Sequence, residues 1–187
     1  INPPSLSNVV EVPEELLSNQ VYGLGVIDVD TSLNVRSGAG TNYSELGQLY
    51  GGDEVFIIEN FSKYSEWYAI FYNNMLGYVH KDYVDATAAE DIPVESRAVT
   101  IRGSNVYSMP STKSTVFENI STGYGVEILK ENAIGTWHLA RYHGHVGFVG
   151  TANVSFDVSY AGKTYTGKII WVSYANVYDS VYSDKKA

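Results

Sequence analysis

The pair Asn34-Val35 returns as Asn105-Val106 and again as Asn176-Val177, 71 residues apart each time. At that offset Ser37 matches Ser108, Thr41 matches Thr112, Gly52 matches Gly123, Val55 matches Val126 and Ile57 matches Ile128. One residue is lost between Ile58 and Trp67, where Asn, Ser and Lys mark a surface loop. Beyond it Trp67 matches Trp137, Tyr72 matches Tyr142, Gly77 matches Gly147, Val79 matches Val149 and Val84 matches Val154. Ordered matches of this kind divide the 187 residues into units of one plan.

The units read as a leader (1–20) with at most one short helix at Pro13-Glu14-Glu15-Leu16-Leu17, repeat one (21–86), a linker (87–97), a divergent repeat two (98–154) and an incomplete third repeat (155–187). The third unit has its Asn176-Val177-Tyr178 start but no counterpart of Trp67. Continuation of the parent protein past Ala187 is the preferred reading, and a remnant packed on repeat two is the other. Units of about 60 residues bury little surface, so each of the 16 Tyr, 6 Phe and 3 Trp must contribute much of the core.

Within repeat one the expected strands are Val26–Val29, Leu33–Arg36, Glu54–Glu59, Trp67–Tyr72 and Leu76–His80. Trp67-Tyr68-Ala69-Ile70-Phe71-Tyr72 is a β-branched and aromatic run with no helix signal. Asn73-Asn74 after it predicts a two-residue hairpin turn, because Asn tolerates positive φ; His143-Gly144 stands there in repeat two. Gly51-Gly52-Asp53 predicts another turn. Short strands joined by tight turns predict an all-β fold of tandem small barrels.

Charge narrows the partners. With 12 basic and 21 acidic residues the formal net charge is −9, which counts against nucleic acid, anionic membranes and teichoic acids. No apolar stretch is long enough for a membrane span. The chain holds no cysteine, so disulfides and thiolate chemistry are excluded from these residues. It begins at Ile1 without a signal peptide and reads as a processed product or a fragment.

Leu33-Asn34-Val35-Arg36-Ser37-Gly38-Ala39-Gly40-Thr41-Asn42-Tyr43 resembles the opening of bacterial SH3 (SH3b, SH3_3-type) domains. Gly51-Gly52-Asp53, Trp67-Tyr68-Ala69-Ile70 and Gly77-Tyr78-Val79 follow in that family's order. Repeat two is a divergent copy with Tyr107 in place of Arg36, and Tyr178 stands there in the third unit. The resemblance implies SH3-like barrels of a secreted, extracellular or wall-associated bacterial protein, its signal peptide removed or outside the segment. It further implies a non-catalytic targeting module for peptidoglycan peptides or another cell-surface ligand, with two copies adding avidity. An adhesion or scaffold repeat with no wall ligand is the alternative.

The expected ligand-binding residues are aromatic: Tyr43, Trp67, Tyr68, Tyr72 and Tyr78 in repeat one, and Tyr107, Trp137 and Tyr142 in repeat two. Trp67 and Trp137 read as core before platform. Alternation sets Tyr68 and Tyr72 on the face opposite Trp67, which makes them the better surface candidates. His138, His143 and His145 could be read as zinc ligands, but a solvated turn is preferred and no metal or cofactor is expected. The familiar hydrolase and nucleotide motifs are missing from these residues, so no enzyme is expected here.

Overall fold

The structure, a computed structural model, describes residues 10–156 and the backbone of two short strands beyond them. The start of the third repeat at Asn176-Val177 lies outside the described residues. The fold is all-β, built from two seven-stranded antiparallel sheets that each curl into a small barrel-like module.

Module one comprises β1 (Gly23–Ile27), β2 (Ser32–Arg36), β3 (Glu45–Tyr50), β4 (Glu54–Ile57), β5 (Trp67–Tyr72), β6 (Met75–His80) and β7 (Val84–Ala88), in the spatial order β3-β2-β6-β5-β4-β1-β7. Module two comprises β8 (Ser96–Thr100), β9 (Ser104–Tyr107), β10 (Val116–Ile120), β11 (Gly125–Ile134), β12 (Trp137–Tyr142), β13 (His145–Gly150) and β14 (Val154–Ser155), in the order β10-β9-β13-β12-β11-β8-β14. The two orders are the same. A further hairpin pairs β15 (Val158–Tyr160) with β16 (Lys163–Tyr165).

The hairpin turns follow from residue chemistry. Asn73 and Asn74 both take positive φ, 46° and 62°, and His143 and Gly144 do the same at 47° and 86°. A type I′ turn needs both central residues there, and its twist matches that of the flanking strands. Close strand approach explains Gly77 and Gly147. A Cβ on Gly77 would lie 2.5 Å from Val35 Cγ1, and one on Gly147 would lie 2.4 Å from the Tyr107 carbonyl oxygen.

Inside module one, Val35, Leu49, Val55, Ile57, Ile70, Val79 and Val84 fill the barrel. Val106, Ile120, Val126, Ile128, Ala140, Val149 and Val154 fill module two. Strands buried on one face only would alternate apolar and polar. Here Val55-Phe56-Ile57-Ile58 is apolar throughout, because Phe56 and Ile58 point to a second core between the modules.

That second core gathers the whole described chain. Leu16 and Val21 from the leader meet Phe56, Ile58 and Phe71 from module one. Ala89 and Ile92 from the segment between the modules, and Met109, Leu129, Leu139, Val146 and Phe148 from module two, complete it. In the leader, Glu14–Leu16 forms a single 3-10 turn. The segment 87–97 holds the end of β7, a 3-10 turn at Ala89–Asp91 and the start of β8. Arg141 Nη2 donates to the carbonyl oxygens of Ala89, Glu90 and Ile92 at 3.0, 2.9 and 3.0 Å. The acidic, proline-bearing stretch is thereby clasped to module two.

Candidate functional site

A cleft of about 1030 Å³ opens on module one. The β1–β2 loop, Asp28 to Ser32, forms one wall. Leu33, Asn34 and Arg36 of β2, Gln48 of β3 and Thr41 of the following loop form the floor. Trp67, His80 and Tyr83 form the aromatic side.

Each wall is held by an identifiable bond. Asp28 N–H donates to the Tyr83 carbonyl at 3.0 Å, which fastens the end of β1 to the turn after β6. Gly51 lies tight under the loop, where a Cβ would come within 2.2 Å of the Val29 carbonyl oxygen. The floor is a chain of polar side chains across β2 and β3. Gln48 Nε2 donates to Asn34 Oδ1 at 3.1 Å, and Asn34 Nδ2 donates to Glu45 Oε1 at 2.7 Å. Glu45 in turn lies 3.5 Å from Arg36 Nη2, while Arg36 Nη1 donates to the Tyr43 carbonyl at 2.9 Å. The guanidinium is therefore fixed before any ligand arrives.

On the aromatic side, His80 sits between Trp67 and Tyr83, with ring centroids 5.3 Å and 5.7 Å away. Its Nδ1 accepts from the Asp82 backbone N–H at 3.3 Å and lies 3.7 Å from the Asp82 carboxylate. Asp28, Asp30 and Tyr83 are exposed and Trp67 is buried, so the cleft offers carboxylates, one guanidinium and aromatic edges together.

Of the eight aromatic residues expected to bind ligand, the structure brings Trp67 to this cleft. Tyr68 and Tyr72 pack on the barrel core from β5; the Tyr68 ring lies against Phe61 at 5.2 Å and under Lys81 Nζ at 5.0 Å. Burial pushes the Tyr68 phenol pKa up. Tyr78 is buried against Trp67 and Ala69, its hydroxyl 3.4 Å from that of Tyr64; burial first, then Tyr64, raises its pKa. Tyr43 is exposed and covers Gly38 and Gly40. In module two Tyr107 and Trp137 meet edge to face at 5.5 Å, and Tyr142 is buried in the barrel.

The three histidines of module two go separate ways. His138 is buried, its Nδ1 accepting from Asn132 N–H at 3.0 Å. His143 lies on the turn against Glu118, and His145 stacks on Phe117. Among the described residues no group of three or more His, Cys, Asp and Glu is arranged to hold a metal ion. Asp28, Asp30, His80 and Tyr83 were not among the expected binding residues. The signal that marks them is the difference between the copies, since module two lacks all four.

Residues 31–85 match the family model of the bacterial SH3 domain. That stretch, which supplies most of the cleft, is a bacterial SH3 domain. The chain is 42% identical over 59 residues to bacteriocin BCN5 of Clostridium perfringens, covering 32% of this chain and 6% of the bacteriocin. It is 25% identical over 166 residues to the putative N-acetylmuramoyl-L-alanine amidase YrvJ of Bacillus subtilis strain 168, covering 80% of this chain and 31% of the amidase. Among solved structures, NlpC2 of Trichomonas vaginalis is similar with a TM-score of 0.44 and 19% identity, over 77% of this chain and 52% of that one. NlpC1 of the same organism gives 0.45 and 17%, over 82% and 51%. The chain thus spans less than a third of the two relatives and about half of each NlpC protein.

The amidase match corrects the expectation of a purely non-catalytic targeting module and of no enzyme. Four-fifths of the chain aligns inside a putative amidase, which places it in the company of a hydrolase. The physical reason for the misreading is simple. Hydrolase motifs are short and local, whereas the likeness to the amidase is spread thinly, at 25% identity over 166 residues.

Proposed function

We propose that this chain works as part of a peptidoglycan hydrolase of the amidase type, and that the module-one cleft receives the peptide of the wall polymer. The observation that carries the reading is the alignment of 80% of the chain within a putative N-acetylmuramoyl-L-alanine amidase. The cleft supports it chemically. Carboxylates at Asp28 and Asp30 suit an ammonium group, Arg36 suits a carboxylate, and Trp67, His80 and Tyr83 offer apolar edges to short side chains. A peptide carrying both charges satisfies such a site better than a polyanion does, in keeping with the net charge of −9. Extracellular or wall-associated work follows from that substrate. No helix among the described residues is long and apolar enough to cross a membrane.

The test uses the intact gene product and dye-labelled Gram-positive sacculi. Expected are co-sedimentation, release of dye with new L-alanine amino termini, and at least a tenfold loss of pelleting in Arg36→Ala at unchanged melting temperature. Absence of both pelleting and release on several wall chemotypes would sink the reading.

A further inference from the structure

We infer that only module one takes the ligand, and that module two has given up its cleft to become the internal dock that holds the leader and module one in place. The inference rests on the cleft assignment above and concerns how many sites the pair contains.

Register makes the two modules comparable residue by residue. The backbone bond from Gly52 N to Ile27 O has its counterpart from Gly123 N to Thr100 O, and that from Asp28 N to Tyr83 O has its counterpart from Ile101 N to Asn153 O. Ile101 therefore stands where Asp28 stands, and Asn153 where Tyr83 stands. Four residues separate Asp28 from Leu33, whereas only Arg102 and Gly103 separate Ile101 from Ser104. The wall that carries Asp30 is shorter by two residues in module two.

The other groups are lost too. Trp67 pairs across the hairpin with His80, but Trp137 pairs with Gly150, so the second aromatic ring is missing. The polar chain on the floor survives as Asn119 to Asn105 at 2.5 Å, but it ends on the Tyr107 hydroxyl at 3.0 Å instead of on a guanidinium. The Tyr107 ring then packs edge-on against Trp137. Apart from Arg102 in the shortened loop, no acid or cation stands at the positions that serve the cleft in module one, and no ring replaces His80 or Tyr83.

The loop beside this spot has a different occupant. Both modules close the loop after the second strand with one backbone bond, Ser37 N–H to the Ser44 carbonyl in module one and Ser108 N–H to the Thr115 carbonyl in module two. In module two the equivalent loop ends in Thr115, whose N–H donates to the Leu17 carbonyl at 3.2 Å, joined by Ser108 Oγ at 3.5 Å. Met109 of the same loop is fully buried in the inter-module core. An interface of this kind is paid for by the surface that would otherwise face a ligand.

The experiment is calorimetric titration of the protein with soluble muropeptides released from Gram-positive sacculi by a muramidase. The expected stoichiometry is one per chain, with a tenfold or greater loss of affinity in Asp28→Asn combined with Tyr83→Ala. Ile101→Ser combined with Arg102→Ala, both exposed positions, is expected to stay within twofold of wild type. A stoichiometry of two, or a loss in the module-two variant, overturns the inference while leaving the hydrolase reading intact. Wild type that neither binds muropeptides nor pellets with sacculi removes the cleft assignment itself, and the single-site inference with it.

Discussion

Phe56 of module one and Phe148 of module two meet edge to face across the boundary, with ring centroids 5.2 Å apart and ring planes at 84°. Aromatic pairs in this geometry add about 0.5–1.5 kcal/mol beyond the area they bury. Phe148 is fully buried and Phe56 nearly so. Phe56→Ala is expected to cost about 3–5 kcal/mol through the cavity it leaves. Urea unfolding followed by tryptophan fluorescence checks it. Wild type should unfold in one transition, whereas the variant should separate into two as the modules lose their shared core. A single unshifted transition would mean that the interface contributes little.

Arg141 supports the same boundary by bonding. Its Nη2 meets three backbone carbonyls, and its Nη1 lies 3.7 Å from Glu127. Lysine has a point charge on a flexible stem and cannot reproduce this fork. Arg141→Lys is therefore expected to lose about 1 kcal/mol, the cost of leaving the partly buried Ala89 and Ile92 carbonyls poorly matched. Hydrogen exchange should show the loss first in the amides of residues 89–92. Faster exchange confined to the β12–β13 hairpin would contradict it.

The two hairpin turns give an internal control. Gly144 at φ 86° has nothing within 4 Å of an added Cβ, so Gly144→Ala tests backbone strain without a clash. A left-handed conformation costs a non-glycine residue about 1–2 kcal/mol, and that is the expected drop in stability. At the matching position Asn74 has φ 62°, and Asn74→Gly relieves strain there. However, Asn74 Oδ1 accepts from the Glu11 N–H at 3.2 Å, so part of the gain is lost with that tie to the leader. Thermal melts of the two variants should move in different directions or, for Asn74→Gly, barely move.

His138 gives the fold a pH dependence of known sign. Burial lowers its pKa from 6.5, working against the nearby Glu131 and Glu95 carboxylates, which raise it. The unfolded chain therefore takes up a proton at this residue at higher pH than the folded one does. Stability is complete above about pH 6.5 and falls as pH drops below that value toward the folded pKa. Protonation also removes the lone pair that Asn132 N–H donates to. Urea midpoints at pH 7.5 and 5.5 should differ in wild type and differ less in His138→Gln. An NMR titration of the imidazole with a midpoint at or above 6.5 would refute the account.

The β5 strand and the hairpin turns were legible because they depend on local chemistry. Trp67–Tyr72 is a strand at the predicted residues, and Asn73-Asn74 and His143-Gly144 turn as their types allow. Two strands of module one escaped the sequence reading. In β3, Glu-Leu-Gly-Gln-Leu-Tyr, only Leu49 is buried, so no alternation marks it. The small, acidic residues of β7, Val-Asp-Ala-Thr-Ala, read partly as linker. Alternation placed Trp67 and Tyr68 on opposite faces correctly, but both faces of β5 are covered. Tyr68 and Tyr72 lie against the barrel, while Phe71 enters the inter-module core. The cleft was hidden for another reason. Its residues come from the β1–β2 loop, β2, β3, β5 and the end of β6, and no sequence window holds them together.

The leader matters beyond stability. Leu16 and Val21 lie in the core that both modules share, and Leu17 is bonded to the second. A crossover at the repeat border would sever the first module from the residues that seal its outer face. What can be swapped or grafted as one working cassette is thus the clasped pair with its leader, and the 71-residue spacing of Asn34, Asn105 and Asn176 does not mark where the protein can be cut.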